Sequence, residues 1–123
     1  MGGASMEVRV VPEDQWVQFA NAFSRDHVGQ AVTIEVVEAE AGRRAIAQGL
    51  PLQGVSFDLR GTRPASVEVS AGERPDQHVR HVIDMPMFIR VTKGDQGEDT
   101  RLEIEPARGP RTQVVLQGSP VVS

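Results

Sequence analysis

PEDQWVQFANAFSRDHVG, residues 12–29, is the stretch whose reading decides the fold. Trp16, Phe19, Ala20 and Phe23 stand at i, i+3, i+4 and i+7, which puts all four on one face of a 3.6-residue period. Asp14, Gln18, Asn21 and Arg25 fall mostly on the other side. Pro12 suits a first helical position, where its missing N–H costs nothing. Glu13 and Asp14 meet the positive end of the helix dipole, and Arg25 and His27 the negative end. Gly29 fits a left-handed stop. The spacing predicts one amphipathic helix over 12–29 with Trp16, Phe19, Ala20 and Phe23 as its core face. The only tryptophan and two of the four phenylalanines lie here, so the rest of the chain must pack against this stretch.

Outward from the helix, the period changes from 3.6 to 2. Val8 and Val10 alternate with Glu7 and Arg9 ahead of it; Val32, Ile34 and Val36 alternate behind it. Ala41-Gly42 turns the chain, and Arg43 to Gln48 reads as the returning hairpin partner. Gly49 to Gly54, with Pro51 inside, reads as a loop or strand corner. Further strands are expected at Gly54–Arg60, Ser66–Ala71, His78–Ile83, Met87–Thr92, Arg101–Glu105 and Arg111–Gln117. Pro86 marks a bend or an edge, because proline cannot donate to a ladder. Lys93 to Thr100 reads as a hairpin loop. Turn signals recur roughly every eight to twelve residues, as in antiparallel barrels and sandwiches. The expected class is α+β, mainly β: one N-terminal amphipathic helix packed on a strongly curved antiparallel sheet or a small SH3/Sm-like barrel of short strands. One domain is expected over 1–123, with 1–5 disordered or tag-derived and 118–123 a loose tail.

Composition narrows the function classes. The chain has 123 residues, no cysteine and a formal charge of −4. Disulfides and thiolate metal sites are excluded. The acidic balance argues against nucleic acid, which favours a basic face. MGGASMEV lacks a charged segment followed by an apolar run, and no apolar run approaches the roughly 18 residues of a membrane span. A cytoplasmic protein with no membrane partner is the expectation. Lys93 is the single lysine among thirteen basic residues, a bias read as genome composition.

Few residues suggest chemistry. His27 ends the helix, where a cation is favoured by the dipole. His81 shares a strand face with Val79 and Ile83 and so points inward. If the two histidines met, they would form a pH-sensitive pair or half a metal site, although three or four ligands are usual. His78 faces the opposite way from His81. Ser24 lies three residues before His27 on the helix, yet no oxyanion site or nucleophile elbow accompanies it. His27, His81 and Ser24 are therefore the residues of a speculative pocket. Asp95, Glu98 and Asp99 resemble part of a calcium loop but lack its twelve-residue spacing, which favours a solvated hairpin tip. Arg43, Arg44, Arg60, Arg63 and Arg80 mostly have carboxylates close by in sequence, and Phe88 is the one candidate for base stacking. No phosphate-binding glycine motif occurs. No catalytic, cofactor or metal constellation emerges.

The segments PEDQWVQFANAFSRDHVGQAVTIEV, LPLQGVSFDL, HVRHVID and LEIE together resemble one small bacterial family, domain of unknown function 5335. The resemblance spans roughly Pro12 to Leu116. It rests on Trp16, Phe19, Phe23, Ser24, His27 and Gly29, then Pro51, Leu52 and Gly54, then His81. The loop after Gly72 and the segment HVIDMPM depart from the family pattern and leave the strand boundaries near Met85 open. The resemblance implies a bacterial, soluble, single-domain protein and carries no activity with it. The expected function is a non-enzymatic protein-interaction or self-assembly module, its partner another protein or a second copy. The alternatives are a small nucleic-acid-binding barrel and a small-ligand binder using His27 and His81.

Overall fold

A computed structural model describes residues 7–61 and 63–117. Eight strands and one helix follow in the order β1 (Glu7–Val10), α1 (Trp16–His27), β2 (Ala31–Glu38), β3 (Gly42–Arg60), β4 (Arg63–Ala71), β5 (Val79–Asp84), β6 (Pro86–Lys93), β7 (Asp99–Pro106) and β8 (Arg111–Leu116). The expectations for residues 1–5 and 118–123 lie outside the described residues.

All strands join one antiparallel sheet in the order β1-β6-β7-β8-β2-β3-β4-β5. β5 is thus one edge and β6 is second from the other, yet Met85 alone links them. A one-residue link holds their ends within about 7.6 Å, so the sheet must curl until its two sides almost meet. Met85 makes that corner with φ 54°, the one described non-glycine residue with positive φ. Its N–H donates to the Ala65 carbonyl (3.0 Å), and its own carbonyl accepts from Ala107 N–H (2.9 Å). The barrel alternative is corrected here: β1 and β5 do not pair with each other, and the described sheet stays open.

The other corner lies inside β3. Gly49 to Gly54 is not a loop; the chain runs as one strand of 19 residues. Its first half pairs with β2, from Gly42↔Glu38 to Pro51↔Ala31. Its second half pairs with β4, from Leu52↔Ala71 to Arg60↔Arg63. Register shifts on both ladders and a left-handed Gly49 (φ 68°) let the strand bend without breaking. The glycines and Pro51 were turn signals in the sequence, and here they bend a strand between two partners.

The helix is shorter than its sequence pattern. Glu13–Gln15 form a 3₁₀ turn, and Pro12 precedes it in an extended conformation (φ −61°, ψ 145°). The reason is the short path from the sheet. Val11 is still tied to β6 by its N–H to Ile89 O (2.8 Å), so the chain must turn at once, and Gln15 N–H closes the turn on Pro12 O (2.9 Å). α1 then packs mainly against β3. Trp16, Ala20 and Phe23 are buried, and Phe19 is partly buried beside them. Trp16 stacks on Phe57 at 5.5 Å, and its indole N–H donates to the Val11 carbonyl (2.9 Å). Gly29 takes the left-handed conformation after the helix (φ 87°).

Alternation sets the core. Val32 and Ile34 on β2, Val67 and Val69 on β4, Leu102 and Ile104 on β7 and Val114 on β8 are almost wholly excluded from solvent. Their common inner face and the helix stripe form one apolar cluster.

Candidate functional site

The end of α1 carries a polar cluster. His27 Nε2 lies 2.8 Å from Asp99 Oδ2, and His27 Nδ1 lies 2.8 Å from Gln30 Oε1. The Gln30 amide nitrogen donates to the Gln117 carbonyl (3.0 Å), which fixes which end of that amide faces the ring. Asp99 also accepts from Lys93 Nζ at 2.7 Å. Phe23 lies beneath the imidazole, ring centres 4.6 Å apart. Burial by itself raises the Asp99 carboxyl; hydrogen bonds from Lys93 and His27 outweigh it and hold the group below its ordinary 3.8. Asp99 is therefore not part of a solvated tip. β7 begins at Asp99, so the loop is only residues 94–98, and the carboxylate fastens helix to hairpin.

Ser24, one turn back, is fully engaged. Its Oγ donates to Val55 O (3.0 Å) and accepts from Val55 N–H (2.8 Å). This hydroxyl pins α1 to the second half of β3, beside Gly54. The hydroxyl has no base beside it to make it a nucleophile.

His81 belongs elsewhere. It faces inward from β5, and its Nε2 lies 3.0 Å from Thr112 Oγ1 on β8, across the fold of the sheet. Burial pushes the imidazole below its ordinary 6.5, and the charge of Arg44 adds to that. Asp99 opens β7, whereas Thr112 lies opposite Ile104, five residues further along. At about 3.4 Å per residue this separates the partners of His27 and His81 by roughly 17 Å. The structure therefore does not bring the two histidines into one pocket, and Ser24 joins neither. His78 precedes β5 and is exposed. Among the described residues no group of three or more His, Asp or Glu is placed to hold a metal ion.

Of the arginines singled out above, Arg43 and Arg80 pair with carboxylates, Arg44 and Arg60 have no carboxylate within ion-pair distance among the described residues, and the Arg63 side chain lies outside them. Arg43 reaches Glu35 (3.6 Å), Arg80 reaches Glu68 (2.9 Å), and Arg90 lies between Glu103 (3.3 Å) and Glu105 (2.8 Å). Phe88 is exposed, as expected if Ile89 is core, but the Arg90 guanidinium covers its ring at 5.1 Å.

Unpaired main-chain groups line the strand edges, and three buried side-chain atoms, Glu35 Oε1, Arg101 Nε and Gln113 Oε1, lack hydrogen-bond partners inside the sheet. Val11 N–H and Met85 N–H both point into their own ladders, as their bonds to Ile89 and Ala65 show. Backbone groups alternate along an antiparallel strand. The N–H and C=O of Val8 and Val10 on β1, and of Arg80, Val82 and Asp84 on β5, therefore point away from the sheet. The same residues carry exposed side chains: Val8 is 58% exposed, Val10 56% and Val82 50%. Met85, Met87 and Phe88 add exposed apolar surface near the corner.

A family of unknown function, DUF5335, matches residues 7–120. The chain belongs to this family. An uncharacterized protein of Aquifex aeolicus (strain VF5) is 27% identical over 117 residues, spanning 95% of this chain and 96% of its own. No solved structure matches. The DUF5335 match takes in both strand edges and the His27 cluster, so it encloses every feature described above.

Within this DUF5335 chain, sequence reasoning missed Gln30, Lys93, Asp99 and Thr112 as partners. Thr112 was legible, since it shares the parity of Val114 and Leu116 on β8. The single lysine beside an acidic loop was a signal too. That Lys93 shares Asp99 with His27, 66 positions earlier by residue number, arises only from the sheet order.

Proposed function

We propose that this domain is a non-enzymatic module that binds protein by extending its sheet at a strand edge. One observation carries the reading: the free backbone groups of β1 and β5 include those of the exposed Val8, Val10 and Val82, flanked on β5 by Arg80 and Asp84, and neither described edge strand carries an internal proline or a register shift. A strand added there gains main-chain hydrogen bonds from the free groups and side-chain contacts from the valines. The polar clusters support the same reading from the other side. Ser24 Oγ and both ring nitrogens of His27 are spent on internal ties, and His81 Nε2 is tied to Thr112, which supports a structural role for these side chains. The expected partner is a protein or a second copy.

The test is native mass spectrometry on the chain purified gently from its source, repeated with Val8→Pro and Val82→Pro. Proline removes an N–H from the free side and leaves the inner ladder whole. Bound protein or a homo-oligomer that one of these substitutions abolishes is the expected result. A monomer carrying a metabolite or oligonucleotide, retained in both variants, would overturn the reading.

A further inference from the structure

The β5 edge is self-complementary, and this identifies its occupant. Along β5 the outward residues are Arg80, Val82 and Asp84, all exposed, and these same three direct their N–H and C=O to the free side. A two-fold axis through Val82 sets the strand antiparallel to its own copy. Val82 then faces Val82, and Arg80 faces Asp84 in both directions. Each facing pair exchanges two main-chain bonds, roughly six in all. Any other centre among these three residues breaks the charge match: centring on Arg80 sets two guanidiniums together, and centring on Asp84 sets two carboxylates together.

The charges are already poised. Arg80 uses Nε and Nη2 on Glu68 of β4, at 3.0 and 2.9 Å, which leaves Nη1 for a second carboxylate and holds the side chain against the sheet. Asp84 is exposed and has no cation partner among the described residues. On the inner face the same register sets Met85, 64% exposed, opposite Val79 of the copy. β1 is a four-residue edge against six on β5; an axis through Val8 also sets Glu7 opposite Arg9, but among the described residues it brings only the Val8 pair into main-chain bonding, against three pairs on β5.

We propose that two copies of this chain associate through β5, antiparallel and centred on Val82, to make one continuous sheet. This deepens the strand-edge reading and rests on it. The geometry gives an isologous interface in which each copy supplies an Arg80 and an Asp84 to the other.

Sedimentation velocity across a concentration series of the full chain tests it, with far-UV circular dichroism to confirm folding. The wild type is expected to dimerise. Asp84→Arg places like charges together twice, as does Arg80→Asp, so each variant alone loses the dimer. An equimolar mixture of the two variants restores every opposite pair, and association returns as a heterodimer. Val82→Pro, which removes the central N–H, abolishes the dimer independently of charge. A dimer that persists in both charge variants overturns the β5 pairing while leaving the edge reading standing at β1. A mixture that stays monomeric overturns it too. A wild type that is monomeric at every concentration overturns self-pairing, and leaves binding of a different protein to be judged by the mass spectrometry above.

Discussion

Replacing Trp16 with alanine removes the largest side chain of the core, and the structure sets the size of the loss. The residue is 2% exposed, stacks on Phe57 at 5.5 Å and donates to the Val11 carbonyl at 2.9 Å. Truncating a buried aromatic to alanine costs about 3–5 kcal/mol. The stack accounts for about 0.5–1.5 kcal/mol of this, and the stranded carbonyl for about 1–3 kcal/mol. Val11 is also the last residue tied to β6 before the helix, so the loss falls on the junction of helix and sheet. Against a typical total of about 5–15 kcal/mol, the variant is close to unfolding. At roughly 4 °C per kcal/mol for a domain of this size, the melting temperature falls by about 12–20 °C. Urea and thermal unfolding followed by circular dichroism measure it, since the fluorophore is gone. Trp16→Phe separates the contributions: it keeps a ring against Phe57, loses the N–H, and is expected to cost about 1–2 kcal/mol. A loss below about 1.5 kcal/mol for Trp16→Ala would refute the claim that α1 anchors the core.

Three further outcomes follow from the same geometry. Gly72 has φ 115°, and a Cβ there would run into the Gln77 carbonyl oxygen, so Gly72→Ala is expected to cost at least about 1–3 kcal/mol; an unchanged urea midpoint would contradict this. His81 takes up its proton at lower pH in the folded chain than in the unfolded one, so the unfolded state holds more protons in between. Stability is then fullest above the ordinary value of 6.5 and declines as pH falls below it, and His81→Gln should flatten the difference in urea midpoint between about pH 7.5 and 5.5; an equal slope in the variant would assign the effect elsewhere. Asp99 has the opposite charge and the same direction of shift: its contribution is present above 3.8 and is lost as pH falls through the lower folded value. Asp99→Asn leaves Lys93 and His27 without their carboxylate and is expected to cost about 1.5–3 kcal/mol at neutral pH; a cost near zero would show that the cluster does not fasten the helix to β7.

The His27 cluster and the His81 bond share one structural role. Each ties elements that are distant in sequence: α1 to β6 and β7 in one case, β5 to β8 in the other. Such ties hold a curled sheet whose closing ladder is missing. The strand edges add free main-chain polar atoms, of which side-chain motifs give no sign.

Local pattern alone determined much of this protein. The 3.6-residue spacing of Trp16, Phe19, Ala20 and Phe23 specifies a helix and its buried face, because periodicity is a property of neighbours along the chain. Two-residue alternation specifies most strands and their inward residues for the same reason. The tertiary structure decided what depends on which strands are neighbours. Gly49 and Pro51 look like a loop in sequence, yet β2 and β4 each hold half of the strand that contains them. Asp99 looks solvated, yet the sheet order carries it to the end of α1. Val8, Val10 and Val82 have the apolar character of core residues, yet their side chains are exposed, and the order of pairing leaves their main-chain groups unpaired at the edges β1 and β5. Strand order is set by the summed packing of remote segments, and no local stretch encodes it.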